Sequence, residues 1–116
     1  MPWLSESAKI ANNELATAAD EDFENIFDYG IDTFGLDQAL KYQNHMKQRF
    51  GELAEQPMLY PAVDHIRKGY RRSVYGSHSI YYRIKGQGVL IVRILGREKP
   101  DKVIGLKVSL KDFHSI

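Results

Sequence analysis

Around Pro57 the spacing of apolar residues changes from that of helices to that of strands. This restricts the chain to a fold in which a helical block and a sheet share one core. Upstream, Ala39, Tyr42, Met46, Phe50 and Leu53 stand 3, 4, 4 and 3 residues apart. That is one face of a helix, expected over residues 37–55 and stopped by Pro57. An earlier helix is expected from Thr17, a capping residue with Asp20 as its capping-box partner. Along it Ala19, Phe23, Ile26, Phe27 and Phe34 keep to one side, Asp20, Glu21, Glu24, Asp28 and Asp32 largely to the others, and Gly35 ends it. Two amphipathic helices joined by so short a link must lie antiparallel and present a shared apolar face. After residues 57–64, three strands are expected over 66–75, 79–84 and 89–95, the last two closing as a hairpin across Lys85-Gly86-Gln87-Gly88. The third, VLIVRIL, is apolar on both sides, which places it at the centre of the sheet, covered by the helices on one face and at least partly on the other. Residues 9–15 are compatible with an edge strand. The class is therefore α+β: an N-terminal strand and a two-helix antiparallel hairpin packed on an antiparallel β-sheet of about four strands.

At 116 residues, 43% of them hydrophobic, the chain has material for one core and no second domain. Residues 1–8 show no period and read as a flexible extension, residues 9–97 as the folded domain, and residues 98–116 as a C-terminal tail. Within that tail residues 104–111 alternate apolar and polar, the pattern of a further strand or of one formed against a partner. The absence of cysteine removes disulfides, thiolate nucleophiles and cysteine-based zinc sites. No apolar run approaches the roughly 20 residues that span a bilayer, and Met1 to Lys9 lack the pattern of a secretory signal, so the cytoplasm is the expected location.

The net charge of +1 conceals a division along the chain. Residues 1–63 hold four basic against eleven acidic residues, a balance of −7, and residues 64–116 twelve against four, a balance of +8. Two faces with different partners, or one half neutralising the other, are the readings such a split allows. No phosphate loop, dinucleotide-binding glycine pattern, nucleophile elbow or histidine pair with metal-ligand spacing is present, so no catalytic residue, metal or cofactor is assigned. His45, His65, His78 and His114 are scattered, and Glu52, Glu55 and the acids from Asp20 to Glu24 read as solvated helix faces. The informative group is basic and aromatic: Arg67, Arg71 and Arg72 around Tyr70, then Tyr81 and Tyr82 before Arg83, then Arg93 and Arg97. On neighbouring strands these arginines can converge on one sheet face and take phosphates or carboxylates by bidentate hydrogen bonds, with Tyr70, Tyr81 and Tyr82 as aromatic neighbours able to stack on bases. The alternative is that the tyrosines are cross-strand packing partners and the arginines pair with the acidic helices.

The order Ala18-Ala19, Asp22-Phe23, Ile26-Phe27, Tyr29, Phe34-Gly35, Ala39, Ala54-Glu55-Gln56-Pro57, Ile66-Arg67-Lys68-Gly69-Tyr70-Arg71, Gly76-Ser77-His78-Ser79-Ile80-Tyr81-Tyr82-Arg83 and Val92-Arg93-Ile94-Leu95 resembles the RelE/ParE toxin superfamily, and within it the ParE branch. The resemblance runs over residues 10–97. It implies a toxin of a bacterial type II toxin-antitoxin system, with a ParD-like antitoxin as partner in a hetero-oligomer. It further implies DNA gyrase, at its A subunit, as the target, held as the cleaved enzyme-DNA complex. The RelE branch, which shares the fold, instead cuts messenger RNA on the ribosome, and fold alone does not choose between them. Cleavage needs a group that activates the ribose hydroxyl and one that protonates the leaving oxygen. Arg71, Arg83 and Arg93 can stabilise charge, but where many relatives carry a histidine after the last strand this chain has Gly96. The expected activity is therefore binding to gyrase without catalysis, the alternatives being ribosome-dependent mRNA cleavage or a non-toxic binding protein on the same scaffold.

Overall fold

The computed structural model describes residues 12–96. The expected extension 1–8, residues 9–11 of the expected first strand, the tail 98–116 with its strand over 104–111, and Arg97 lie outside the described residues. The elements are β1 (Asn13–Leu15), α1 (Thr17–Phe34), α2 (Leu36–Glu55), β2 (Tyr70–Tyr75), β3 (His78–Lys85) and β4 (Gly88–Gly96).

Thr17 is the first helical residue of α1 and not its cap. The N-cap is Ala16, still extended (φ −64°, ψ 158°), and it makes no side-chain cap bond. Its amide instead donates to the Ile91 carbonyl at 2.9 Å while its carbonyl accepts from Asp20, so the sheet fixes where the helix begins. Asp20 remains in the first turn, where a carboxylate is favoured by the helix dipole. Gly35 is the whole connection between the helices: its amide closes α1 on the Ile31 carbonyl, and its carbonyl accepts from Ala39 to open α2. It does both at φ +92°, a conformation that residues with a Cβ rarely adopt.

The sheet order is β1-β4-β3-β2, with β4–β3 and β3–β2 antiparallel as expected. The β1–β4 pair is parallel, with Asn13 opposite Val89 and Leu15 opposite Ile91, which makes the sheet mixed. Both hairpins close through two residues, Gly76-Ser77 and Gly86-Gln87, with a positive-φ glycine first. Residues 66–69, read from their apolar content as the start of a strand, are instead a compact turn. Ile66 and Arg67 donate to the Val63 carbonyl, and the Asp64 carboxylate accepts from the Gly69 amide at 2.8 Å. Just before it the chain runs antiparallel along the outer edge of β2 through an Ala62–Arg71 bridge.

The helices cover one face of the sheet. Ala19, Met46, Phe50, Leu53 and Ala54 pack there on Ile80, Tyr82, Val89, Ile91 and Ile94, with Phe23 and Ile26 of α1 closing the margin. A second cluster joins Val63 and Ile66 of the turn to Tyr70, Tyr81, Leu90 and Val92. The pairing of β3 with β4 slips between Tyr81 and Tyr82, leaving Val92 as the extra residue of a bulge. Because of that slip Ile91 and Ile94 both join the helix-side cluster although they are three residues apart.

Leu53→Ala is expected to lower unfolding free energy in urea by about 2–5 kcal/mol, because Leu53 is fully buried and its neighbours are fixed by the sheet. Phe34→Ala, at a residue 65% exposed, is expected to change it by less than about 0.5 kcal/mol.

Candidate functional site

The strand register divides the arginines between two faces of the sheet. Residues directly opposite in an antiparallel pair share a side. Arg71 is opposite Tyr82 and so lies on the helix-facing side, where its guanidinium donates to the Tyr60 carbonyl at 2.6 Å. Arg72 is opposite Tyr81 and Arg83 opposite Tyr70, which puts both on the second face, and Arg67 joins them with its guanidinium 5.9 Å from the centre of the Tyr70 ring. Arg93 is withdrawn from any such surface. Its Nε and Nη2 donate to the two carboxylate oxygens of Asp22 at 2.8 and 3.0 Å. The same carboxylate accepts the Ile94 amide at 2.9 Å. β1 has ended by this point, so among the described residues no strand lies beside the outer edge of β4 here, and a side chain of α1 bonds the edge instead. The three tyrosines are in the core: Tyr70 is 5%, Tyr81 2% and Tyr82 0% exposed. The Tyr82 hydroxyl donates to the Pro57 carbonyl at 2.7 Å, and burial pushes its pKa up to about 12.

A second constellation was not legible in the sequence. The Tyr42 hydroxyl, reaching from α2 to the β2–β3 turn, donates to the Tyr75 carbonyl at 3.1 Å, accepts from the Ser77 amide, and lies 2.8 Å from His78 Nδ1. Gly76 makes room for it, since a Cβ there would fall 2.5 Å from the hydroxyl. Beside it Arg49 donates to the Ser73 hydroxyl and the Val74 carbonyl, with its guanidinium over the rings of Tyr60 and Tyr75. Burial lowers the His78 pKa against the opposing influence of Asp22, and burial, followed by the Tyr42 hydroxyl, raises that of Tyr75. Tyr42 and Arg49 therefore lock the helical hairpin to the edge strand. The available signal was a tyrosine on the buried face of a helix, whose hydroxyl requires a polar partner inside.

Between α1, α2 and this junction lies an open apolar groove of about 390 Å³, lined by Phe27, Tyr29, Phe34, Tyr42, Met46 and His78 among others. A shallower hollow of about 300 Å³ reaches Ile94 and Gly96. The two share Ile26, Tyr29 and His78, and so form one trough along the hairpin. Tyr29 and Phe34 at its rim are each 65% exposed, and Leu36 and Leu40 are also exposed. Asp20, Glu21, Glu24, Asp28 and Asp32 on α1 face solvent. Among the described residues no group of three metal-binding side chains is gathered, and no helix is long and apolar enough to cross a membrane. The arrangement offers two surfaces suited to macromolecules: an apolar trough on the hairpin and a basic patch across the sheet.

A family model described as "ParE toxin of type II toxin-antitoxin system, parDE" matches residues 14–100. The chain is 38% identical over 82 residues to "Toxin ParE1" of Mycobacterium tuberculosis, covering 70% of this chain and 84% of that protein. It is 33% identical over 81 residues to "Toxin ParE1" of Caulobacter vibrioides, covering 70% and 83% of the two. Among solved structures, a chain of the "Chromosomal ParDE TA system from P. aeruginosa" superposes with a TM-score of 0.65 at 21% identity, covering 77% of this chain and 98% of that one. At that identity the structural likeness bears on the fold.

Asp22→Asn is expected to cost about 1–3 kcal/mol in urea unfolding, because it leaves the partly buried Arg93 without its charged acceptor. With its folded pKa below the ordinary 6.5, His78 binds protons less readily in the native than in the unfolded chain. Stability is therefore expected to be full above pH 6.5 and to fall as pH drops below it. His78→Gln should flatten that decline when unfolding midpoints are compared between pH 7.5 and 5.

Proposed function

The chain belongs to the ParE toxin family of type II toxin-antitoxin systems, and from that membership we propose that it acts by binding: it holds DNA gyrase, through the A subunit, as the cleaved enzyme-DNA complex, and a ParD-like antitoxin silences it. The observation that carries this reading is the family match across residues 14–100, which takes in both helices and all of the sheet but Asn13. The cytoplasm, where gyrase works, is the site of action in this reading.

Binding alone is sufficient for such an effect. A protein that binds the cleaved state of an enzyme more tightly than the resealed state shifts the population toward cleavage, and moving it from 1:99 to 99:1 takes a preference of about 10⁴-fold. The residues around the arginines suit this better than they suit RNA cleavage through the ribose hydroxyl. Tyr82 is buried with its pKa at about 12, which makes it a poor proton donor at neutral pH, and Arg93 is committed to Asp22. Gly96 offers no side chain at the end of β4.

For the antitoxin, the reading places a segment along the trough of the helical hairpin, against Tyr29 and Phe34 and extending to the sheet. Burying two exposed aromatic rings there would supply several kcal/mol of apolar contact.

With purified gyrase and relaxed plasmid, the full chain is expected to abolish supercoiling and to leave linear DNA after denaturation, and added ParD-like antitoxin is expected to restore supercoiling. No inhibition at a tenfold excess over gyrase overturns the target. Cuts within ribosome-occupied codons, mapped by primer extension on translated mRNA, overturn the binding mechanism. Tyr29→Glu together with Phe34→Glu is expected to raise the antitoxin dissociation constant at least 100-fold while leaving the fold intact by circular dichroism.

A further inference from the structure

On the second face of the sheet, Arg72 and Arg83 are diagonal neighbours across β2 and β3, since Tyr70 pairs with Arg83 and Arg72 with Tyr81. Diagonal positions lie about 7–8 Å apart. Arg67 stands over the Tyr70 ring beside them, with Lys68 next in the chain. The ion pairs among the described residues are elsewhere: Arg49 with Glu52, Lys85 with Glu14, Arg93 with Asp22. Asp64, the acid of the adjoining turn, is turned to the Gly69 amide. Arg83 makes only a long bond, 3.4 Å, to its neighbour's carbonyl. Among the described residues, three guanidinium groups thus share this face without an ion-paired carboxylate, while the acids of α1 lie exposed on the helical layer.

The rings beneath these guanidiniums decide what the face can read. Single-stranded RNA and DNA are held largely by stacking bases on exposed aromatic side chains. Tyr70 and Tyr81 are 5% and 2% exposed and serve as packing under the arginine stems, so no stacking platform is offered. A peptide would use large apolar anchors beside the charges; the exposed aromatic residues Tyr29 and Phe34 stand on the hairpin, and beside Arg72 this face exposes the small side chain of Val74. Cations without accessible rings suit a phosphate backbone whose bases are already paired.

We propose that Arg67, Arg72 and Arg83 form a site for the phosphate backbone of duplex DNA, sequence-independent, through which the protein grips the DNA held by gyrase. This use of the site rests on the gyrase reading, but the site itself can be tested without gyrase. Neutralising three phosphates gives a slope of about −0.9 per contact in the logarithm of affinity against that of salt. Between 50 and 200 mM salt, affinity for the duplex should then fall about 40-fold.

The test is fluorescence anisotropy of a labelled 30-base-pair duplex with the full-length protein, alongside the gyrase cleavage assay. The wild type is expected to show the 40-fold salt dependence. Arg72→Gln with Arg83→Gln should reduce it to about 3- to 4-fold, weaken gyrase trapping at least tenfold, and leave the thermal midpoint unchanged. Arg72→Lys with Arg83→Lys should restore the slope, since phosphate contact requires charge more than fork geometry. An unchanged slope in the glutamine variant overturns the site, and so does single-stranded RNA displacing the duplex at equal length. Loss of antitoxin capture with DNA binding intact also overturns it and gives the face to an acidic peptide. If the wild type binds duplex with this slope yet leaves gyrase untouched, the gyrase reading fails and the phosphate site stands. If the wild type traps gyrase and the glutamine variant traps it equally, the gyrase reading stands and the use of this site on gyrase-held DNA is overturned.

Discussion

β4 has no dry side to spare, and the rest of the molecule is arranged around that fact. Val89, Ile91 and Ile94 need cover on one face, Leu90 and Val92 on the other, and a single layer of helices can satisfy only one set. The compact turn after residue 62 supplies the second layer with Val63 and Ile66, which a plain strand beginning at residue 66 could not have done. The bulge at Val92 then serves both layers. It lets two helix-facing isoleucines flank Arg93, whose charge is led sideways to Asp22 at the open edge. Apolar burial sets the plan, and polar side chains close the places where the backbone ladder stops.

Two consequences for binding follow from this construction. The arginines divide between those that seal the fold (Arg49, Arg71 and Arg93, each with named acceptors) and those that lie over the second cluster with few polar ties. The exposed aromatic rings, Tyr29 and Phe34, stand at the hairpin, away from the basic patch. Among the described residues, the division into an acidic first half and a basic second half shows as a separation of the α1 acids from Arg67, Arg72 and Arg83. The acids line the solvent side of α1, and the free cations sit across the sheet.

The helices were legible because both halves of their signal were local: apolar spacing, and a glycine between them whose φ of +92° few other residues tolerate. The hairpin strands were legible for the same reason. The start of β2 was misplaced because Ile66 carries the composition of a strand residue while its backbone is fixed by the Val63 carbonyl and by Asp64 holding Gly69. The parallel pairing of β1 and the capping of α1 by the Ile91 carbonyl depend on contacts more than seventy residues away in sequence, which no window of sequence contains. For the site, residue type was informative and direction was not. Four of the seven tyrosines and a run of arginines mark a basic aromatic half. Whether a ring is a stacking surface or a floor is settled by strand register, and register is set by the bulge and turns together. In sequence Tyr42 is one more position of an apolar helix face and Arg49 an ordinary helix cation; their roles exist only where α2 meets the Gly76 turn.

The three-residue pairing of β1 with β4 also bears on when this protein becomes itself during synthesis. Asn13 finds its partner Val89 only after almost the entire described chain has been made, and the first turn of α1 is anchored to the same strand. While β4 is still within the ribosome, the nascent chain has a helical hairpin with an uncovered apolar face and no sheet to close on. Long-range pairing of this kind is the slow part of folding. A chain ordered in this way completes the trough of the hairpin and the basic patch of the sheet late and almost together, because both lean on the strand that is made last among the described elements.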